Sequence, residues 1–407
     1  MMTNPDESGV KNKQDSEAVG GTARPITFAT LLREEGETGV QSHIGVFREY
    51  LTNRGKEVRV LTPFANPRLL VYPVFAVRKA IDPLCGPLSV WWYRYWHYLF
   101  LRLALRRELA GGKPKTVYAQ CPLSAKAALE ARTGPHQTVV MVVHFNLSQA
   151  IEWAEKGKIR ENGFLFKRIK ELEQRVLPAL DGIVFVSAFM RNSLEREIPG
   201  IRGVPAAIVP NFAKPAPRLS GNEPEGDLVS IGTLEPRKNQ GFLLRVVAAA
   251  LRRGRRYSLN LIGDGADRAS LMALADTLGI REQVRFPGYL ADAAALLSGY
   301  RMYVHAAFME NLPMALIEAL AAGLPVAAAP VGGIGEIFSD GVEGIYWRLD
   351  DPDAAAEALI RLLDDERCYN AMARSAVERF NSSFSIDRAA VDLEDFLCSI
   401  NLDSRRS

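Results

Sequence analysis

From residue 26 onward, short apolar runs alternate with segments whose apolar residues recur at helical spacing. In the first half the runs predict strands at 26–30, 58–63, 116–120, 139–145, 182–187 and 206–209. In the second they predict strands at 228–232, 259–263, 284–287, 302–306, 325–329 and 344–347. The run VVMVVHF at 139–145 is apolar on both faces, as expected of a parallel strand covered by helices on each side. Helical spacing marks 45–53, which stops at Arg54–Gly55, and later 353–363 and 387–398. Between the two series lies NFAKPAPRLSGNEPEG, 211–226, dense in Pro, Gly and Asn and without periodicity. Two series of βα units joined by such a linker predict an α/β protein of two Rossmann-like, doubly wound domains facing each other across a cleft.

The boundaries read this way are a polar tail (1–23), a first domain (24–212), a linker (213–226) and a second domain (227–385). A closing helix (386–402) is expected to pack back on the first domain.

Composition narrows the class. The chain has 407 residues, with 50 Lys and Arg against 47 Asp and Glu, a formal charge of +3. Dedicated nucleic-acid binders carry a larger or more segregated excess, so no nucleic-acid partner is expected. Cys85, Cys121, Cys368 and Cys398 lie far apart with no C-x-x-C pair, which suggests reduced thiols in a cytoplasmic protein and neither a disulfide frame nor a zinc site. The first 23 residues lack the apolar core of a signal peptide. The most apolar long segment, LSVWWYRYWHYLFLRLAL at 88–105, is broken by Arg94, His97 and Arg102, so it is not expected to span a bilayer.

The chemistry concentrates in 308–335, FMENLPMALIEALAAGLPVAAAPVGGIG. Pro313 suits the first turn of a helix that should run to Ala322 and stop at Gly323. Glu310 then sits in the loop at the helix mouth and Glu318 inside the helix. The free N–H groups around Asn311, Leu312, Pro313 and Met314 make an anion site at the positive end of the dipole. Gly332–Gly333 should lead into a second helix near Glu336, bringing a second N-terminus to the pocket. At the end of the second domain's first strand, GTLEPRKN places Arg237 and Lys238 side by side, a guanidinium fork and a point charge suited to a diphosphate. LIGDG ends the next strand with Gly263 and Gly265, and Asp264 reads as a cap for the helix that follows. Any one of these, taken alone, is an ordinary βα turn.

In this order and at these spacings they resemble the retaining glycosyltransferase family 4 of the GT-B fold. The resemblance rests on the Glu310/Glu318 pair, the following GG, the EPRKN turn and the strand ending LIGDG, and it covers roughly 228–396. The first half matches more loosely through ETGVQSH at 37–43, VVMVVHFN, DGIVFVSAFMRNSL and IVPNF. The resemblance implies a nucleotide-diphosphate sugar donor held mostly by the second domain. Arg237 and Lys238 would hold the diphosphate, Glu318 the ribose, and Glu310 the hydroxyls of the transferred sugar. His144 would lie near the reacting carbon, Gly263 and Gly265 near the nucleotide, and Thr38 and Gly39 on the acceptor side. Many members carry Arg directly after the glycine of the first second-domain strand; Thr233 stands there instead, with Arg237 available to supply the charge.

Two cations and a helix N-terminus aimed at a departing diphosphate can stand in for a divalent ion, so no metal and no other cofactor is expected. The D-x-D at 351–353 precedes a helix, and Asp353 reads as its N-cap. GDP-mannose and UDP-sugars both remain open as donors, and the acceptor is a glycan or a lipid-linked group. Three tryptophans and four arginines at 88–107 make that helix a candidate for peripheral membrane contact, or for core packing. The Arg-rich 252–256 reads as a solvated loop. A nucleotide-sugar epimerase and a non-catalytic nucleotide-sugar-binding protein are the alternative functions on the same architecture.

Overall fold

The computed structural model describes residues 24–34, 36, 38–215 and 225–403. The tail at 1–23, most of the expected linker (216–224) and Glu37 of the N-terminal loop lie outside the described residues.

The first sheet contains β1 (Ile26–Ala29), β2 (Val58–Leu61), β3 (Lys115–Ala119), β4 (Gln137–Val143), β5 (Gly182–Phe185) and β6 (Ala206–Ile208). The second contains β7 (Gly226–Ile231), β8 (Leu259–Ile262), β9 (Val284–Gly288), β10 (Tyr300–Val304), β11 (Val326–Ala328) and β12 (Gly344–Tyr346). The orders are β2-β1-β3-β4-β5-β6 and β12-β11-β10-β7-β8-β9, with every recorded strand pair parallel. Each apolar run singled out in the sequence contributes a strand. All seven residues of β4 are buried, because helices cover both faces of the sheet.

Helices α1 (Gly39–Asn53), α2 (Arg68–Ile81), α3 (Gly86–Leu109), α4 (Pro122–Ala131), α5 (Gln149–Glu155), α6 (Phe164–Val176) and α7 (Ala188–Glu197) accompany the first sheet. With the second come α8 (Gln240–Arg252), α9 (Arg268–Thr277), α10 (Met314–Ala321), α11 (Pro352–Asp364) and α12 (Glu366–Ser383), and α13 (Ile386–Asp403) ends the described chain. Helix α13 returns to the first sheet's layer: Glu394 meets Arg54 and Lys56 at 3.2 and 2.9 Å, and Ile400 and Phe396 lie against Gly182.

Among the described residues, no helix is long and apolar enough to cross a membrane. Much of α3 is core, with Val90, Phe100, Leu101, Ala104, Leu105 and Leu109 buried. Its arginines do not form one outward stripe: Arg94 is buried against Gln149, Arg102 pairs with Glu130, and Arg107 meets Asn66.

Strand order reverses between β1 and β3 in one sheet and between β7 and β10 in the other. Those switch points are where chain segments leaving the carboxyl ends diverge and leave a crevice. The segments leaving β7 and β10 carry Arg237, Lys238 and Glu310.

Three local expectations need correction. Gly332–Gly333 leads only into a single 3-10 turn, Ile334–Glu336, so a second helix N-terminus does not face the pocket. The cap of α11 is Asp351, whose carboxylate accepts from the Ala354 N–H at 2.9 Å; Asp353 is turned to Arg252 and Arg253. The 252–256 cluster is exposed throughout, as expected of a solvated loop, and its arginines pair on the surface with Asp353, Asp364 and Glu282. Asp264 accepts from its neighbour Gly265 at 2.8 Å and does not cap α9, whose N-cap is Asp267.

Candidate active site

The turn after β7 and the loop after β10 are held together by one backbone bond and one guanidinium contact. The Phe308 N–H donates to the Arg237 carbonyl at 3.0 Å, and Arg237 Nη1 donates to the Met309 carbonyl at 3.0 Å. That brings Arg237 and Lys238 onto Glu310. Lys238 Nζ pairs with Glu310 Oε1, Arg237 Nη1 lies 3.3 Å from Oε2, and His305 Nε2 stands 3.5 Å from Oε1. Arg237 is also held by Glu235 at 2.9 Å. Burial alone would raise the Glu310 pKa, but Lys238, His305 and Arg237 outweigh it and hold the carboxyl far below the usual range. The site is therefore an ionised carboxylate under two cations, beside a histidine whose pKa burial lowers.

Helix α10 opens just beyond. Pro313 is its N-cap residue and supplies no side-chain cap, and no described protein group accepts from the N–H of Asn311, Leu312 or Met314. The dipole's positive end is thus left open beside the two cations. Glu318 lies one turn in, on the same helix. Burial, with Asp292 adding its charge, raises its pKa to about 7, and no described group donates to it.

The glycines explain the tightness. A Cβ on Gly332, whose φ is +60°, would lie 1.9 Å from the Glu310 carbonyl, and one on Gly333 would lie 1.9 Å from that of Asn311. The GG turn is a seat for the Glu310 loop. Gly263 and Gly265 are required for a different reason: their Cβ atoms would meet the backbone oxygens of Gly232 and Leu234 at 2.0 and 2.2 Å. Close approach of two turns accounts for both residues without a ligand.

The first domain meets this site directly. The Asn311 carboxamide accepts from Ser187 Oγ at 2.6 Å and donates to the carbonyls of Val143 and Phe145 at 3.0 and 3.3 Å. Asn311 is thus a bridge between the domains. The Leu312 carbonyl accepts from Asn211 at 2.7 Å, and Met314 packs against Gly39 at the start of α1, where a Cβ would come within 3.1 Å of its Cγ. The Thr38 hydroxyl is engaged in a capping box with Gln41. His144, just past β4, is half-buried with its Nε2 closed off from solvent and unpartnered, and its pKa is pushed well below the ordinary value by desolvation and then by His43.

Four residues in or around the site have roles that the sequence reading did not give them. His305 is one, the first residue past β10. His43 is another: its ring stands 4.8 Å from that of His144, edge to face, and burial lowers its pKa to about 4. Glu152 on α5 accepts from the Asn146 N–H at 3.0 Å and is close enough for its charge to act on Arg237 across the domains. Glu336 turns away from the pocket and accepts from the N–H groups of Ala188 and Phe189, both at 2.7 Å, holding the first turn of α7 from the opposite domain. Only a three-dimensional register could have revealed the last two.

Two parallel doubly wound sheets with a cation-lined crevice at the second switch point define the GT-B class. Sucrose-phosphate synthase from Thermosynechococcus elongatus superposes with a TM-score of 0.70 at 18% identity, over 93% of this chain and 100% of that one. The Anabaena protein HepE, solved with UDP and glucose, does so with 0.61 at 16%, over 92% and 100%. Residues 216–379 match the family described as Glycosyl transferases group 1, and 38–216 match Glycosyltransferase Family 4. The chain belongs to this glycosyltransferase family. It is 34% identical over 176 residues to D-inositol 3-phosphate glycosyltransferase of Salinispora tropica, which covers 40% of this chain and 36% of the relative. Phosphatidyl-myo-inositol mannosyltransferase of Mycobacterium leprae is 26% identical over 356 residues, 85% of this chain and 90% of that one. Several curated relatives are matched over only about a third of their length, as the Salinispora protein is.

Proposed function

We propose that the protein is a retaining glycosyltransferase. In this reading it moves a sugar from a nucleotide-diphosphate donor, GDP-mannose or a UDP-sugar, to a glycan or lipid-linked acceptor in polysaccharide or glycolipid synthesis, in the cytoplasm and without an essential metal. The observation that carries this is the convergence of Lys238, Arg237 and Glu310 beside the open N-terminus of α10. The names of the two relatives, one acting on an inositol phosphate and one a mannosyltransferase, support a glycan or lipid acceptor.

The reaction breaks the bond between the anomeric carbon and the diphosphate oxygen. Negative charge grows on that oxygen, where Lys238, Arg237 and the α10 N–H groups stabilise it most. The acceptor oxygen attacks from the same face and its proton passes to the departing phosphate, so configuration is kept without a protein nucleophile. Glu310 accepts from the sugar hydroxyls and Glu318 from the ribose. Neutral His144 sits beside the anomeric carbon. Gly263 and Gly265 lie along the nucleotide, and Thr38 and Gly39 border the acceptor.

A thermal-shift panel of UDP- and GDP-sugars tests the donor site, since a ligand at 100 Kd stabilises the native state by about 2.7 kcal/mol. No shift with any of them would count against it. Release of an epimerised nucleotide sugar without acceptor would favour the epimerase, and binding without turnover of any kind would favour the non-catalytic protein.

A further inference from the structure

Helix α2 is apolar on the wrong side as well as the right one. Val71, Val74, Phe75 and Arg78, at i, i+3, i+4 and i+7, face inward. Val71 is fully buried, Phe75 stacks on His97 at 4.2 Å, Arg78 lies over Tyr93, and the Val74 carbonyl accepts from Trp92. The opposite face should be polar in a helix that meets only water. Instead it presents Leu69, Leu70, Tyr72, Pro73, Ala76, Val77 and Ala80, and Leu84 continues it into the turn before α3. Leu69 and Leu84 are 89% and 85% exposed. Helix α3 adds Leu88, Trp91 and Tyr95 at i, i+3 and i+7, all exposed. A cluster of this kind is a contact surface in search of its partner.

Charge identifies the partner. The hairpin, residues 68–109, holds seven Lys or Arg and two acids: Asp82, engaged by Lys158 and Ser89, and Glu108, engaged by Arg59 and Lys115. The hairpin thus carries a formal +5 in a chain whose total is +3, so positive charge is concentrated here. Arg68 and Lys79 flank the apolar face of α2, both exposed and without an acidic partner among the described residues. Exposed leucines and aromatics bordered by cations are the chemistry of a helix lying in the headgroup layer of an anionic bilayer. Tyr72 also lines a cavity of about 280 Å³ with Thr62, Phe64 and Arg33, beyond the carboxyl ends of β1 and β2. Docking on α2 would bring that cavity to the membrane.

We infer that the α2–α3 hairpin docks the protein on an anionic lipid surface through Leu69, Leu70, Tyr72, Val77 and Leu84, with α2 and not the arginines of α3 as the main contact. This rests on the proposed function only in placing an acceptor pocket beside the membrane. The full chain is sedimented with vesicles of phosphatidylcholine alone and with an equal share of phosphatidylglycerol, at 0.1 M salt. Binding should be at least tenfold tighter to the anionic vesicles and should weaken with salt. The paired change Leu69→Glu and Leu70→Glu should lower it at least tenfold with the melting temperature unchanged, because both side chains are exposed. Arg68→Glu with Lys79→Glu should remove the preference for anionic lipid.

Equal binding by the leucine variant, or no binding by the parent, overturns the inference. So does a lipid-free dimer that the leucine change dissolves, since the occupant would then be a second copy. Nucleotide-sugar thermal shifts on the same samples separate the two readings: an intact donor shift without vesicle binding sinks the docking alone, and vesicle binding without any donor shift sinks the donor site alone.

Discussion

Replacing Glu310 by Gln should tighten the hold on the bare nucleoside diphosphate while abolishing transfer. In the structure Glu310 sits under Lys238 and Arg237, its side chain 9% exposed, and neutralises one of the two charges the diphosphate needs. An incoming phosphate oxygen at ~5 Å from that carboxylate, in an effective dielectric of about 20, is opposed by about 3 kcal/mol. Solvent on the open side and a rearranged lysine reduce this to ~1–2 kcal/mol, or roughly a tenfold gain in affinity for UDP or GDP in the Gln variant. Transfer should fall at least 100-fold, since the sugar loses a charged acceptor for its hydroxyls. Lys238→Met should do the reverse to the nucleotide: affinity falls, and kcat drops about 10²–10³-fold, the usual cost of removing one preorganised group from a developing oxyanion. Calorimetry on both variants, with turnover measured in parallel, decides the matter. If the Gln variant bound nucleotide more weakly than the parent, or the Met variant kept kcat within threefold, the cations would not be facing the diphosphate.

The Glu318 carboxyl, raised to about 7, binds more protons folded than unfolded, so it costs stability increasingly from about pH 4.5 to 7 and fully above that. Glu318→Gln should therefore raise the melting temperature at pH 8 and leave it unchanged at pH 4. Glu173, also raised to about 7, acts with the same sign, so only the difference from the parent reports on Glu318. Gly332→Ala should destabilise by several kcal/mol and eliminate transfer, because its Cβ would press on the Glu310 carbonyl from a left-handed backbone; a melting curve beside an activity assay checks it. Glu336→Gln should cost about 1–2 kcal/mol in denaturant unfolding by weakening the grip on the first turn of α7. Transfer should persist in excess EDTA, and a loss restored by a divalent ion would show that the two cations do not suffice.

The frame was legible because both sheets are parallel and covered. A strand such as β4 must be apolar on both faces, and such runs stand out in a sequence even where helix limits do not. Errors fell where a short polar residue had several local uses. Asp351 and Asp353 are equally good caps on paper, and only the position of Arg252 and Arg253 across a hundred residues decides that Asp353 pairs and Asp351 caps. Gly263 and Gly265 are demanded by another stretch of backbone, so on their own they do not point to a ligand. The Glu310–Lys238 contact spans 72 residues and was reached by resemblance. Glu336 bonds across the domain boundary and the charge of Glu152 acts on Arg237 across it, and no periodicity within either half encodes them.

Those cross-domain bonds bear on how the site works. Asn311, at the lip of the anion site, satisfies its carboxamide on Ser187, Val143 and Phe145 of the first domain, and the last two flank His144 in the chain. The Glu310 loop is fixed from one side by the GG turn and from the other by the strand end that carries His144. A shift of either domain would move Glu310 relative to His144, and a misplacement of about 1 Å can cost two orders of magnitude in rate. Asn311→Ala removes the bridge without touching a charge. It should lower kcat far more than it weakens nucleoside diphosphate binding, because Arg237 and Lys238 keep their places within the second domain. Equal losses in both would mean that Asn311 shapes the anion site itself and does not align the two halves.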